Sequence, residues 1–391
     1  MAVPSPAGRT GLISPFYVME IVKAAQRLQD DGLPVIHMSI GEPDFTAPTE
    51  VQQAAEAAIR GGQTAYTPAL GLDRLREAIA GHYTRTLGVT VAPERIVVTA
   101  GASAALLLAC AALVDPGAEV LMPDPCYPCN RHFVAAFEGR AVLLPCGPQT
   151  RYQPTAQAIS AAWTDRSRGA LLASPSNPTG TSIEPDQLRA VLQAVSARGG
   201  FTIVDEIYQG LAYDHPPRTA LAVSDDVIVI NSFSKYFNMT GWRLGWMVVP
   251  QVLVPVVERL AQNLFICPSA IAQHAALACF EPSSLATYEA RRVEFQRRRD
   301  FLVPALRQLG FEIPVTPDGA FYIYCDVSRL ASDSWDFAFA LLRATGVCVV
   351  PGRDFGVAEP QRYVRVSYAT NLERLREAVD RIDRFLAQRR S

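Results

Sequence analysis

Long apolar runs are missing from this sequence. No stretch reaches 18 apolar residues free of charges and turn residues, so no membrane-spanning helix is expected. A surplus of either charge is missing too: 36 Lys and Arg stand against 38 Asp and Glu, a net charge of −2. That balance argues against a protein that grips nucleic-acid phosphates and against a polybasic membrane-surface protein. The nucleotide signatures G-x-G-x-x-G and G-x-x-x-x-G-K-[ST] do not occur. The five histidines (His37, His82, His132, His215 and His274) are scattered, and no second Cys or His pair stands at zinc spacing. No metal site is expected. Repeats, low-complexity tracts and blocks of like charge are absent as well.

What is present is apolar material: 49% of the 391 residues are hydrophobic and only 19% charged. A chain of that kind can bury a large core and is not disordered over most of its length. Its length alone suggests two to three domains. The eight cysteines lie scattered in apolar segments, the pattern of reduced thiols used as small hydrophobes. One pair, Cys126 and Cys129, forms a C-x-x-C. A redox role would need an exposed thiol of lowered pKa, and the spacing by itself is weak support. The first 23 residues hold no basic region followed by an unbroken apolar run. They do not read as a signal peptide, and the expectation is a cytoplasmic protein.

The middle of the chain alternates short β-rich runs with helical patterns. Strands are expected at Ile96–Thr99, 119–123, 141–144, 170–173, Phe201–Asp205, 227–231 and 244–248, with helices such as 102–113, 185–197 and 251–263 between them. That alternation implies crossover units and a mostly parallel seven-stranded sheet sandwiched by helices. Runs such as Phe201–Asp205 are continuously apolar, as strands buried on both faces are. Towards the C-terminus the character changes. A long charged helix is expected over 283–309, kinked or divided at Pro304. Strands follow at 321–325, 347–350 and 362–367, and a helix at 372–387. A helix at Val18–Asp30 and a strand at 34–40 open the chain. The fold class is therefore α/β: a large domain over 46–290, with a small α+β domain from both chain ends, 1–45 and 291–391. The boundary near residue 290 falls inside the long helix.

Parallel sheets bind ligands at the carboxyl ends of their strands, which directs attention to the polar residues there. Asp205 ends one apolar strand, and a buried carboxylate needs a partner: a metal, an arginine, a helix N-terminus or a protonated ring nitrogen. Tyr208 lies three residues on. Ser232-Phe233-Ser234-Lys235 ends another strand. A lone lysine is ordinarily a solvated charge, but these flanks are apolar and aromatic, where a lysine loses its proton more readily and can act as a Schiff-base amine. Arg243 follows between glycines, which suits an anion such as phosphate. Gly101-Ala102-Ser103 opens a helix after a strand, a natural anion site that many strand-to-helix turns share.

These pieces form an ordered set. Asn177-Pro178-Thr179-Gly180, Asp205-Glu206-Ile207-Tyr208, Ser232 to Lys235, Gly241-Trp242-Arg243-Leu244-Gly245 and Arg365-Val366-Ser367-Tyr368 together resemble the class I/II aminotransferases, pyridoxal-phosphate enzymes of the aspartate aminotransferase fold (fold type I). Gly41-Glu42-Pro43-Asp44-Phe45, Tyr66-Thr67-Pro68 and Gly319-Ala320-Phe321-Tyr322 extend the likeness over nearly the whole chain. The resemblance implies a role for each residue. Lys235 would carry pyridoxal 5'-phosphate as an internal aldimine and then move the proton. Asp205 would keep the pyridine nitrogen protonated. Asn177 and Tyr208 would bond the cofactor's phenolic oxygen, and Tyr127 would stack on its ring. Ala102, Ser103, Ser232, Ser234 and Arg243 would hold the phosphate. Tyr66 would reach the phosphate of a neighbouring subunit, which implies a homodimer with shared active sites. Arg365 would clasp the substrate α-carboxylate, with Asn177 and the Gly41 backbone beside it. Tyr127 lies inside the C-x-x-C, which then reads as a stacking loop rather than a redox pair.

The implied activity is ping-pong transfer of an amino group between an L-amino acid and a 2-oxo acid. Ser103 stands where some bacterial aspartate enzymes carry a lysine, which weakens an aspartate preference. Phe16 and Tyr17 resemble a segment that closes over the substrate and suggest an apolar or aromatic side-chain pocket. Arg131 is the remaining candidate for a distal cation, against the plainer reading of a surface charge. Two other readings use the same fold. One is a pyridoxal-phosphate C–S lyase, which differs only in how the carbanion collapses. The other is a non-catalytic effector sensor, which would call for a basic DNA-binding extension that does not precede the fold here.

Overall fold

The computed structural model describes residues 5–390. Residues 1–4 and 391 of the expected small domain lie outside it. Seven strands make the central sheet: β1 (Ile96–Thr99), β2 (Glu119–Asp124), β3 (Arg140–Pro145), β4 (Ser167–Ala173), β5 (Phe201–Asp205), β6 (Ile228–Ser232) and β7 (Gly245–Val248). Their spatial order is β1-β7-β6-β5-β4-β2-β3. β7 runs antiparallel to both its neighbours, and the other pairings are parallel. Six strands therefore bring their carboxyl ends to one edge.

Why these runs become central strands is visible in their packing. Side chains alternate across a strand, so a strand covered on both faces must be apolar at every position. Ala170, Leu172, Val204, Val229 and Trp246 join a core on one face, while Leu171, Ile203, Ile228, Ile230 and Met247 join a core on the other. One covering helix, α2 (Gly101–Leu113), is apolar almost all round (GASAALLLACAAL) and is correspondingly buried. A single residue separates it from β1, and Gly101 is in the left-handed region at φ 81°.

Both chain ends build the smaller α+β part. α1 (Val18–Asp30) lays Ile21 and Ala25 into a core shared with Phe337, Leu341 and Ile382. Two helices bring those partners: α4 (Ser334–Thr345) and α5 (Leu372–Arg390). An antiparallel sheet of β8 (Tyr322–Asp326), β9 (Val350–Pro351) and β10 (Tyr363–Ser367) lies in the order β9-β10-β8. The long helix α3 (Pro282–Gln308) runs through Pro304 as one helix, so the proline does not divide it. Pro304 is exposed, so the carbonyl it leaves without an amide partner can bind water. The expected strands at 34–40 and 347–350 are also shorter in fact: only Ile36–His37 and Val347–Cys348 pair, in parallel, and Val349 separates the latter from β9.

Candidate active site

A cavity of about 390 Å³ opens at the carboxyl edge of the large sheet, between it and the smaller part. β5 delivers Asp205 and then Ile207 and Tyr208. The turn after β6 delivers Ser234 and Lys235, the turn after β4 delivers Asn177, and the segment after β2 delivers Tyr127. The start of α2 gives Ala102 and Ser103. Gly41 and Arg365 come from the smaller part. All of these line the cavity, together with Arg243 and Phe16.

Lys235 Nζ donates to the Gly41 carbonyl at 2.6 Å. Burial pulls the ammonium down to about 8; Glu42 opposes this, and the charges of Arg365 and Arg243 add to it. About a tenth of the amine is thus neutral at pH 7, far more than for an ordinary lysine. Burial pushes the Asp205 carboxyl up to about 6, against the Ile207 amide and the Lys235 charge. That amide, at 3.0 Å, is its hydrogen-bond donor, and Asp205 makes no ion pair among the described residues. A carboxylate so placed calls for a cationic partner inside the cavity.

The opposite wall is a cradle of backbone. A side chain at Gly101 would collide with Arg243 Nη2 at 2.7 Å, and one at Gly245 would meet the Ala102 nitrogen at 2.9 Å. No side chain caps the start of α2, so its first amides are free for an anion. Ser234, Arg243 and these amides form a phosphate-sized donor set.

At the other end, Arg365 Nη1 donates to Asn177 Oδ1 at 2.9 Å and Nη2 to the Ser39 carbonyl at 2.7 Å. Its guanidinium lies 4.3 Å from the Tyr322 ring and 4.9 Å from the Phe355 ring. The buried Nε has no partner among the described residues, which leaves a donor for a ligand carboxylate. Tyr208 Oη meets Tyr322 Oη at 2.8 Å. Burial first, and then the Tyr322 hydroxyl, hold the Tyr208 phenol well above its usual range, so it remains a proton donor.

Three expected residues lie off the cavity. Ser232 is buried behind Ser234, its Oγ lying 2.9 Å from Ser234 Oγ and 3.1 Å from the Leu244 carbonyl. Tyr17 turns its ring edge-on to Trp335, with centroids 6.3 Å apart. Tyr66 stands on the surface, 82% exposed. Arg131 does not line the cavity either; its Nη2 donates to the Asp354 carbonyl at 2.9 Å. Burial raises both thiols of the C-x-x-C, Cys126 to about 12, opposite to the lowered pKa that a redox pair needs. Among the lining residues without a counterpart in the expected set are Val18, Val22, Glu42 and Tyr322. Tyr322 and Glu42 lie inside quoted motifs; Val18 and Val22 read as ordinary helix positions.

The sequence pattern of the family "Aminotransferase class I and II" matches residues 34–382. The chain belongs to the class I and II aminotransferases. The valine–pyruvate aminotransferase of Mycobacterium tuberculosis is 43% identical over 96% of this chain and 97% of its own. The aspartate/prephenate aminotransferase of Thermus thermophilus is 34% identical over 97% and 98%. The crystal structure of an aminotransferase from Mycobacterium tuberculosis superposes with a TM-score of 0.95 at 42% identity, covering 99% of this chain and 100% of that one. Enzymes of this family use pyridoxal phosphate, and the buried lone carboxylate, the lysine and the anion cradle of this aminotransferase fit that group.

Proposed function

We propose that this aminotransferase holds pyridoxal phosphate between Asp205 and the cradle of Ala102, Ser103, Ser234 and Arg243. It passes an amino group, in ping-pong fashion, from an L-amino acid with an apolar side chain to a 2-oxo acid. The observation that carries this reading is Lys235: a buried amine of lowered pKa in one cavity with an unpaired carboxylate and a carboxylate-binding arginine. When bound, the cofactor supplies a ring that accepts the electron pair left on the substrate α-carbon.

The chain's own residues do the rest. Arg365 fixes the α-carboxylate and so orients the α-carbon towards Lys235. Lys235 Nζ takes the α-proton and returns it. The Asp205 carboxylate holds a positive charge at the deep end. Tyr208 and the Asn177 amide nitrogen donate to oxygen on the cofactor. Tyr127 covers one face and excludes water. Ser232 supports Ser234 from behind.

The choice of an apolar donor rests on the lining. Among the described residues only Lys235, Arg243 and Arg365 bring positive charge to the cavity, and Phe16, Val18, Val22 and Ile40 offer apolar surface. No cation is left for a distal carboxylate. The relative named for valine and pyruvate points the same way. We also propose a division into 46–290 and the two chain ends, and a homodimer in which a second copy covers exposed Tyr66 and shares its active site. A cytoplasmic setting accords with eight free cysteines; no helix among the described residues is long and apolar enough to cross a membrane.

A panel of amino donors against 2-oxoglutarate, pyruvate and oxaloacetate, with cofactor spectra for each donor alone, tests this. Conversion of the cofactor to its amine form by valine or leucine ahead of aspartate is expected. Aspartate ahead of both overturns the donor class. Pyruvate and ammonia without any amine form overturn transamination in favour of elimination.

A further inference from the structure

The start of α1 is held from the far end of the chain. No side chain of its own segment caps this helix. Its first amides donate instead to the carboxylate of Asp354, 337 residues beyond Tyr17: Tyr17 N to Oδ1 at 2.8 Å, and Val18 N to Oδ2. Asp354 is buried, and its other charged and titratable neighbours are Arg131, Arg365 and Cys129. Its loop is pinned in turn. Arg131 bonds the Asp354 carbonyl, and Cys126 N donates to the Phe355 carbonyl at 2.8 Å. Asp124 Oδ2 accepts from Val357 and Ala358 at 2.9 and 3.0 Å. A side chain at Gly356 would collide with Asp124. Asp354 is therefore fixed to the same segment that presents Tyr127.

What rides on this anchor is one end of the cavity, lined by Phe16, Val18 and Val22. Val18 packs in a small cluster with Phe355, Tyr324 and Tyr363. Phe355 also stacks under Arg365. The start of α1 therefore closes the cavity beside the carboxylate-binding arginine, away from the Gly101 cradle. We propose that Asp354 is a positioning residue that sets the size of donor side chain this cavity accepts, by fixing the first turn of α1 through two amides. This rests on the aminotransferase reading, with the substrate carboxylate on Arg365. Two charge-assisted bonds to free helix amides hold a turn that otherwise frays. A long apolar side chain packs against that turn; a methyl group is too short to use it.

The test compares cofactor-loaded wild type with Asp354→Ala and Asp354→Asn. Amide exchange over residues 16–22 is expected to quicken about tenfold in Asp354→Ala and less in Asp354→Asn, with 372–390 unchanged. KM for leucine should rise about tenfold while kcat and the alanine KM stay within about twofold. Binding of unreactive acids reads the same preference without turnover: 4-methylpentanoate should lose its advantage over propanoate. An equal rise for alanine and leucine, an unchanged acid ratio, or unchanged exchange at 16–22 each overturns the proposal. If Asp354→Ala does not fold, Asp354→Asn must show the same split at smaller size. Should wild type turn over no donor while the acid ratio still falls in the variants, it is the functional reading that fails and the anchor that stands.

Discussion

One end of the cavity, lined by Ala102, Ser103, Ser234 and Arg243, is assembled from turns along a single sheet edge. The other end draws Phe16, Val18, Ser39, Gly41, Tyr322 and Arg365 from opposite ends of the chain, with Asp354 holding the first turn of α1 from 337 residues beyond Tyr17. The first end is as stiff as the strands beneath it, and its donors are backbone amides and short side chains. The second depends on long-range ties, such as Arg365 to the Ser39 carbonyl and Asp354 to the Tyr17 amide. Such a division lets one end keep a constant cofactor while the other varies with the substrate.

The largest effect belongs to the residue between the two ends. Lys235→Ala should lower kcat by at least about 10³-fold for every donor, because nucleophile and proton carrier go together. Steady-state assays with added cofactor check this, and near-wild-type turnover would break the assignment of both ends at once. Arg365→Ala should lower kcat/KM by about 10²-fold, mainly through KM, with cofactor affinity unaltered. A matching loss of cofactor affinity, read by equilibrium dialysis, would show that the two ends are not independent.

A third prediction concerns pH. Only the neutral amine of Lys235 attacks an aldehyde, and its pKa lies at about 8. Capture of cofactor by the free protein should therefore quicken with rising pH up to about 8 and level off above. Below that it should fall about tenfold per pH unit. Glu42 raises this pKa, so Glu42→Gln should move the midpoint down; an upward shift measured by stopped flow would contradict the geometry. The smallest effect is Tyr322→Phe, which removes one hydroxyl contact to Tyr208. About 1 kcal/mol, or roughly fivefold in kcat/KM, is expected.

The sheet-edge end was legible in the sequence because each element announces itself locally. β5 is five residues closed by Asp205; β6 runs into Ser-Phe-Ser-Lys; Gly101 follows β1 after a single residue. The fine placement was not legible. Ser232 and Ser234 look equivalent in sequence, yet strand geometry buries the first behind the second. The assembled end was legible only in pieces. Val18 and Val22 have the spacing of any amphipathic helix, and nothing near Asp354 in sequence says that it binds Tyr17. Such contacts depend on how the chain ends meet, and no local pattern encodes that. Pro304 marks the opposite error: its local rule says break, and an exposed position on a long helix removes the reason.

The tie between α1 and Asp354 also has a consequence for synthesis. At roughly 5–20 residues per second, the ribosome takes on the order of 20–70 s to deliver α5 after α1 has emerged. Ile21, Ala25 and Val18 gain their α4, Phe355 and Tyr363 partners only late in that interval and Ile382 at its end, although the large sheet can already close. Nascent chains arrested before residue 350 should therefore be cut by protease within 18–30 while 96–248 resists; equal resistance would mean that α1 finds an earlier shelter. The enzyme acquires its cofactor cradle first, and the wall that meets its substrate is the last thing the ribosome finishes.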